Sequence, residues 1–447
     1  MIIIGPKRSL PQNGKKGNPL AGYTRMDMPM LCCHAGSCNN TKGVFLMREI
    51  LFSLLLVLFG SLSAQAVPLQ QLRQLGPAAL YVTPEGAYHV VNLYGDWQAM
   101  GEQYGSLAGP LLREFYERIC ADLSKRGVDA SARQAFAKAV FDQYGPEVRA
   151  LILGMGKGSG LGREKAMELN AGMMLLTGAV LGGEPPSACS GLAAWGQRTT
   201  DGHVVFGRNW DILREPMRRY MKYLGVAVFH PKDGVPFANV HPLGNMYLES
   251  GLNRNGVFLE LNNGEHSDPT EYEDREDASS VLVRVLSRAK SLDDAVRRLC
   301  AVPADIAYII QVADADRAVS VERATFGCRV REGASPGMLA AYNSFVPPYP
   351  EPWQGRINPP PPQTQDPRLR NIRTMLANPE IKGRINAETM RELMEVDVAD
   401  GGAMFGGTVL QIVARPSERI LWIRGVDYSD WETVELAPLL GGIPAVK

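Results

Sequence analysis

The chain has 447 residues, 45% of them hydrophobic, and its 47 basic and 47 acidic side chains cancel to a formal net charge of zero. That composition supplies a large buried core and excludes a disordered chain. The balanced charge removes any global electrostatic case for a nucleic-acid partner or an anionic membrane surface.

Residues 1–46 are rich in Gly, Lys, Asn and Pro, follow no amphipathic period, and are expected to be an extension outside the fold. Cys32, Cys33, His34 and Cys38 fall in this stretch, at a spacing that closes no four-ligand zinc site. Met47 and Arg48 then lead into an apolar run over 50–62, followed by Ala64, Gln65 and Ala66. A basic start, a short apolar middle and a small-x-small end predict a secretory signal peptide over 47–66. The run is shorter than the roughly 17 to 25 residues of a membrane-spanning helix, so no stable span is expected once it is removed. The mature chain is expected to begin at Val67 in a secreted or periplasmic setting. If Cys189 stays free to react, Cys120, Cys300 and Cys328 can pair there in three ways.

From 67 to 181 the pattern predicts mostly helix, over 105–120 and 131–144, with Pro146 opening another short one. Gly154, Gly156, Gly158, Gly160 and Gly162 alternate and read as a flexible connector, because no Gly-Lys-Ser/Thr closes them into a phosphate loop. After Cys189 the period changes to two. Strands are predicted over 191–197 and 204–208, joined through Thr200, Asp201 and Gly202. Further hairpins are predicted at Lys232-Asp233-Gly234, at Arg254-Asn255-Gly256 and over 314–317. Helices return over 280–290 and 293–299, where Ser291 and Asp294 form a capping pattern. A proline-rich loop covers 345–367, a helix 368–376 and a last hairpin 409–423. The acidic segment 265–277 lacks the spacing and glycine of a calcium loop and reads as a solvated loop.

The chemistry centres on Cys189, in the run Pro185-Pro186-Ser187-Ala188-Cys189-Ser190-Gly191, with Gly207-Arg208-Asn209-Trp210-Asp211 one hairpin later. A cysteine is a strong nucleophile once something takes its proton. A histidine from elsewhere in the chain could do so. The other candidate base is the α-amino group of Cys189 itself, freed by cleavage after Ala188; its reference pKa of about 7.7 to 8.0 suits neutral pH.

This stretch resembles the start of the mature catalytic chain in N-terminal nucleophile hydrolases of the acyl-CoA:6-aminopenicillanic acid acyltransferase type, related to the choloylglycine hydrolases. Further blocks agree in order: 95–105, 147–156, 251–256 running on to Leu261, Asn262 and Asn263, then Tyr342-Asn343-Ser344-Phe345, and Gly407-Thr408. The resemblance spans nearly all of 67–447. It implies an α+β fold, a four-layer αββα sandwich with a mainly helical segment over 67–188 and the catalytic segment over 189–447. It implies autocleavage between Ala188 and Cys189, with Cys189 as nucleophile and Arg208 and Asp211 as a charged pair orienting its thiol and amine. Asn343 through its side-chain amide and Asn263 through its backbone N–H would hold the oxyanion. Arg370 is the implied second arginine, with Arg368 and Arg373 competing for the match. The implied activity is hydrolysis of a small-molecule N-acyl amide, or acyl transfer where an amine replaces water, with no cofactor and no metal. Ala188 and Ser190 depart from the Gly or Asp and the Thr that commonly flank the cysteine in relatives, which bears on cleavage efficiency. Ester or lipid deacylation, and an unprocessed binding protein on the same fold, are the alternatives.

Overall fold

The computed structural model describes residues 68–181 and 189–441. The expected extension over 1–46, the expected signal peptide over 47–66 and Ala188 lie outside the described residues.

The described chain opens on three strands rather than on helix: β1 (Gln70–Leu75), β2 (Ala78–Val82) and β3 (His89–Gly95). The β3 sequence is a short apolar run with its five central residues buried. Such a run carries no alternation and cannot be told from a buried helix by periodicity. Four helices follow, α1 (Trp97–Lys125), α2 (Ala130–Gln143), α3 (Pro146–Ser159) and α4 (Gly162–Leu181). Asp96 and Asp129 cap the first two, accepting from the Ala99 and Ala132 backbone N–H groups.

The alternating glycines expected to form a connector belong mostly to α3, and their spacing has a packing reason. Gly101 and Gly105 on α1 lie one turn apart, as do Gly154 and Gly158 on α3, and the helices meet there backbone to backbone. A Cβ on Gly154 would stand 2.2 Å from the Gln98 carbonyl oxygen, and one on Gly105 2.4 Å from that of Met155. Gly160, with φ at +74°, ends α3 as a left-handed cap, and Gly162, at φ +78°, begins α4.

The second half supplies β4 (Ser190–Ala194), β5 (Val205–Asp211), β6 (Leu224–Pro231), β7 (Phe237–Pro242), β8 (Ser250–Asn253) and β9 (Phe258–Asn263). Helices α5 (Ala278–Leu286) and α6 (Leu292–Cys300) precede β10 (Tyr308–Ala313), β11 (Ala318–Ala324), β12 (Gly327–Arg331) and β13 (Met338–Ala341). Helices α7 (Arg368–Ala377) and α8 (Ala387–Met394) then lead to β14 (Thr408–Arg415), β15 (Ile420–Gly425) and β16 (Glu432–Glu435). The hairpins expected at Asp201-Gly202, Asp233-Gly234, Asn255-Gly256 and 314–317 all form, and β16 extends the last one by a strand.

Among the described residues the strands make two sheets. One runs β1-β2-β3-β6-β7-β8-β9-β10-β11-β12 and the other β13-β4-β5-β14-β15-β16, antiparallel throughout except where β3 lies parallel to β6. The sheets meet face to face, Phe206 of β5 packing on Phe258 of β9 with ring centroids 5.0 Å apart. Helices α1, α5 and α6 cover the outer face of the larger sheet, and α7 and α8 that of the smaller. The architecture is therefore α+β with αββα layering, as expected. A disulfide joins Cys300 at the end of α6 to Cys328 on β12, and Cys120 is free.

The glycine contact yields a paired test. Gly105→Ala drives a methyl into the backbone of α3 and should cost about 1 to 3 kcal/mol. Gly109→Ala on the same helix meets nothing closer than the Arg113 side chain at 3.2 Å and should be neutral or stabilising, since Ala outranks Gly in helices. Thermal unfolding of both variants separates them; equal shifts would argue against the backbone contact.

Candidate active site

Cys189 sits one residue before β4, which lies between β13 and β5 inside the smaller sheet. The β4–β5 register pairs Ser190 with Asn209 and Gly191 with Arg208, which brings Cys189 to the end of β5. Its backbone N–H donates to Asn343 Oδ1 at 2.7 Å, and its carbonyl accepts from Arg368 Nη1 at 3.1 Å. The half-buried Sγ stands 3.9 Å from Arg208 Nη2 and faces the Asp211 backbone N–H. Burial pushes the thiol up to about 12; Arg208 pulls it down, and the Asp211 and Glu249 carboxylates push it further up. At neutral pH only about one such thiol in 10⁵ is ionised, so attack requires a group that takes the proton as the bond forms.

Arg208 and Asp211 were expected as a charged pair, and they do not form one. Residues three apart in a strand project to opposite faces. Arg208, in phase with Phe206, crosses to the larger sheet. There it donates to the Leu261 carbonyl at 2.8 Å and to the Ser250 hydroxyl, and it pairs with Glu260 at 3.2 Å and Glu249 at 3.5 Å. Asp211 shares its phase with Gly207, whose missing Cβ faces α8, and it meets Arg368 at 3.5 Å. The two residues converge on Cys189 from different layers. Burial holds the Asp211 carboxyl up to about 7, against the pull of Arg368 and Thr408, and neither of its oxygens has a well-formed hydrogen bond.

Beneath Cys189 lies a polar bed. Glu260 is fully buried and accepts from Gln311 Nε2 at 2.5 Å and Asn262 Nδ2 at 3.1 Å. Gly191 makes room for it, because a Cβ there would stand 1.9 Å from Gln311 Nε2.

The two asparagines meet. Asn343 Nδ2 donates to the Asn263 carbonyl at 3.0 Å, leaving its second hydrogen for another acceptor. The Gly264 N–H bonds to Ala307 at the head of β10 and the Leu261 N–H bonds to Glu249 across the strand. By alternation the Asn263 N–H points to the Glu249 side, toward the cavity described below.

Arg370 is not brought to the site. It lies exposed on α7 and reaches only its neighbour Asn371. Arg368, at the first position of the same helix, is buried and holds Asp366 at 2.7 Å, Asn343 Oδ1 at 3.3 Å, the Cys189 carbonyl and Asp211. Helix phase decided between them, and sequence spacing alone does not fix that phase. Glu249, Ser250 and Glu260 carry no sequence signal beyond lying beside the Gly251 and Asn263 blocks.

Cys189, Asp211 and Asn263 line a cavity of about 120 Å³, most of whose surface is apolar. Its other wall comes from the N-terminal helices, through Phe136, Val140 and Gln143 of α2 and Met173, Met174 and Thr177 of α4. No histidine lines it among the described residues; His230 and His241 are buried elsewhere against Asn92 and Tyr104. A Cys/His arrangement is therefore not assembled here.

No family model matches the sequence, and no curated protein does. Among solved structures, the Caenorhabditis elegans orthologue of N-acylethanolamine-hydrolyzing acid amidase matches at 16% identity and a TM-score of 0.39, over 56% of this chain and 100% of that one. A mutant of conjugated bile acid hydrolase from Clostridium perfringens matches at 14% and 0.38, over 56% and 93%. Penicillin V acylase from Agrobacterium tumefaciens matches at 12% and 0.35, over 56% and 86%. Likenesses this distant carry no argument about chemistry, and the site is read from its own geometry.

The Glu260 carboxyl is raised to about 7 by burial, offset by Arg208, Gln311 and Asn262. An unfolded glutamate titrates near about 4.3. Between those values the native state binds a proton the unfolded chain has lost, so the contribution of Glu260 to stability falls as pH rises through that window. Buried His89, His230 and His241 are shifted down and act in the opposite sense, equally in wild type and variant. Glu260→Gln should therefore gain urea resistance relative to wild type as pH rises from about 5 to about 8. A gap that does not change with pH would count against the buried, proton-binding Glu260.

Proposed function

We propose that the protein is a self-processing cysteine amidohydrolase acting on linear N-acyl amides. One observation carries the reading: a cysteine at the start of a central strand, its thiol beside Arg208, its own N–H on Asn343, opening on a mostly apolar cavity. In activation the Cys189 sulfur bonds to the Ala188 carbonyl carbon, the C–N bond breaks, and the thiol proton ends on the nitrogen, which becomes the α-amine of Cys189. Water then cleaves the thioester, which frees the thiol and a carboxylic acid at Ala188.

In turnover that amine takes the thiol proton and the sulfur attacks the substrate carbonyl. The Asn263 N–H and the second Asn343 Nδ2 hydrogen would hold the oxyanion; one such donor is worth about 2.7 to 4 kcal/mol in the transition state. The leaving amine departs with the proton, and water, activated by the same α-amine, releases the acid. An amine replacing that water turns the cycle into acyl transfer. Arg208 keeps the sulfur in place, and Asp211, short of hydrogen bonds, is the natural acceptor for the new ammonium. Arg368, rather than Arg370, anchors Asn343 and the Cys189 carbonyl. The apolar wall supplied by α2 and α4 suits an acyl chain. The reading includes export through the signal peptide over 47–66, with a mature end at Val67 that N-terminal sequencing of secreted protein checks.

Intact mass spectrometry of wild type and Cys189→Ala tests the proposal. Wild type should give two pieces, cut between Ala188 and Cys189, and the variant one. Because Cys300–Cys328 lies wholly after the cut, the wild-type pieces should separate in denaturant without reductant. A wild type that stays whole refutes self-processing. Release of acid from an ester with no turnover of the matching amide would point to a deacylase instead.

A further inference from the structure

Four carboxylates line the cavity that opens on Cys189, namely Asp211, Glu249, Asp277 and Asp305, and no lysine, arginine or histidine lines it among the described residues. Arg368 answers Asp211, and Arg208 answers Glu249. Asp277 and Asp305 have no ion pair among the described residues. Asp277 is the N-cap of α5, where its Oδ1 accepts from the Ser280 N–H at 3.0 Å and from the Ser279 hydroxyl. Asp305 is 3% exposed, and its Oδ1 is buried without a hydrogen-bond partner.

The neighbouring cations are committed or held off. Arg275 donates to the Ala304 and Thr325 carbonyls, and Arg284 holds Glu276. Arg323, on β11, feels the Asp305 charge but does not reach ion-pair distance, and it donates to the Val302 carbonyl instead. Burial, then the Asp277 charge, raises the Asp305 carboxyl to about 7.

The Ile306 and Asp305 backbone N–H groups serve this carboxyl only in part, and its Oδ1, buried without a hydrogen bond, costs free energy unless a ligand supplies the donor. Around these two acids the cavity offers the ring of Tyr308 and an apolar wall, together with Tyr247 and Trp210. Carboxylates, aromatic rings and apolar surface together fit an alkylammonium ion: its charge goes to the acids, its ammonium face to a ring, and its chain to the wall. A divalent cation would need six or more oxygen ligands, and no metal-holding group of three or more acidic, His or Cys side chains occurs among the described residues.

We propose that Asp277 and Asp305 form a subsite for a protonated amine, so that the N-acyl amides taken at this site carry an ammonium group on an apolar chain. The word substrate rests on the reading of Cys189 as nucleophile; the subsite is testable without turnover.

The test uses the full chain carrying Cys189→Ala, titrated in a calorimeter at about pH 8 with hexylammonium and, separately, with 1-hexanol; the amine stays charged there and Asp305 is largely ionised. Hexylammonium should bind about tenfold more tightly or better, and the preference should shrink in Asp305→Asn and in Asp277→Asn and vanish in the double variant. Both changes are isosteric, and Asn caps a helix as well as Asp does; circular dichroism and thermal midpoints verify that each variant is folded. Equal affinity for the two probes, or a preference that survives the double substitution, overturns the subsite. Wild-type cleavage before Cys189 is scored separately. An uncut wild type sinks the nucleophile reading while the ammonium preference stands or falls on the titration alone.

Discussion

A buried guanidinium holds this molecule's centre together. Arg208 is 2% exposed between the two sheets, and an arginine stripped of water there is tolerated only if its donors are taken up. Most of them are: the Ser250 hydroxyl, the Leu261 carbonyl and Glu249 accept from it, and Glu260 supplies a second counter-charge at 3.2 Å, all from the larger sheet. The arrangement fixes the relative position of β5, β8 and β9, and with it the distance from the Cys189 thiol to the Asn263 backbone. Breaking such a buried pair from one side costs about 3 to 5 kcal/mol, because it leaves a charge without an answer. The residues around it follow from the same constraint. Glu260 accepts from Gln311 and Asn262, and Gln311 together with Glu260 itself occupies the space a residue larger than glycine would claim at position 191.

The cavity is composite in the same way. Its polar chemistry comes from strand ends and loops after residue 188, and much of its apolar wall comes from α2 and α4. The Asp277 N–H, bonded to the Gln143 carbonyl at 3.1 Å, ties the two sources together next to the acidic subsite. No disulfide among the described residues crosses between 68–181 and 189–441. A chain cut at 188 would keep its site through non-covalent contacts, chiefly the parallel pairing of β3 with β6, the packing of α1 on the larger sheet, and cross-segment bonds such as Met246 N–H to Asn170 and Arg288 to Glu147. That pairing is interior to the sheet, so the first segment is an integral part of the fold and not a removable cover.

The parts of this architecture legible in the sequence are those with local causes. Asp-Gly and Asn-Gly turns announced the hairpins, Pro146 and the Ser291 capping pattern marked helix starts, and the run around Cys189 with its downstream Arg208 and Asp211 pointed to the candidate site. The parts that were not legible have non-local causes. Strand β3 shows no alternation because both its faces are covered, even its Asn92 being buried, and the glycines of α3 make sense only opposite those of α1. Arg208 and Asp211 look paired in sequence because they are close along the chain, yet the strand's two-residue period sends them to different layers. Arg368 and Arg370 differ only in helix phase, and the Pro-rich loop that sets this phase has no period of its own. Asp305 gave no signal at all, since its meaning depends on a cavity enclosed by segments from both halves of the chain.

The Asp211 carboxyl connects structure and chemistry most directly. In the uncut chain the Cys189 nitrogen is an amide whose one hydrogen goes to Asn343, so it offers nothing to Asp211. The acid is buried, and although Arg368 at 3.5 Å, Thr408 and Arg208 pull its proton affinity down, burial outweighs them and raises it to about 7. Cleavage before Cys189 would turn that amide into an amine with up to three hydrogens, beside a buried carboxylate short of well-formed hydrogen bonds. The ammonium and the carboxylate would stabilise one another's charged forms, raising the amine's affinity for the thiol proton and lowering that of Asp211. On the proposed reading, the strain of burying an under-solvated acid in the precursor is relieved by the product of its own cleavage, and the same charge pair then gives the thiol the base it otherwise lacks.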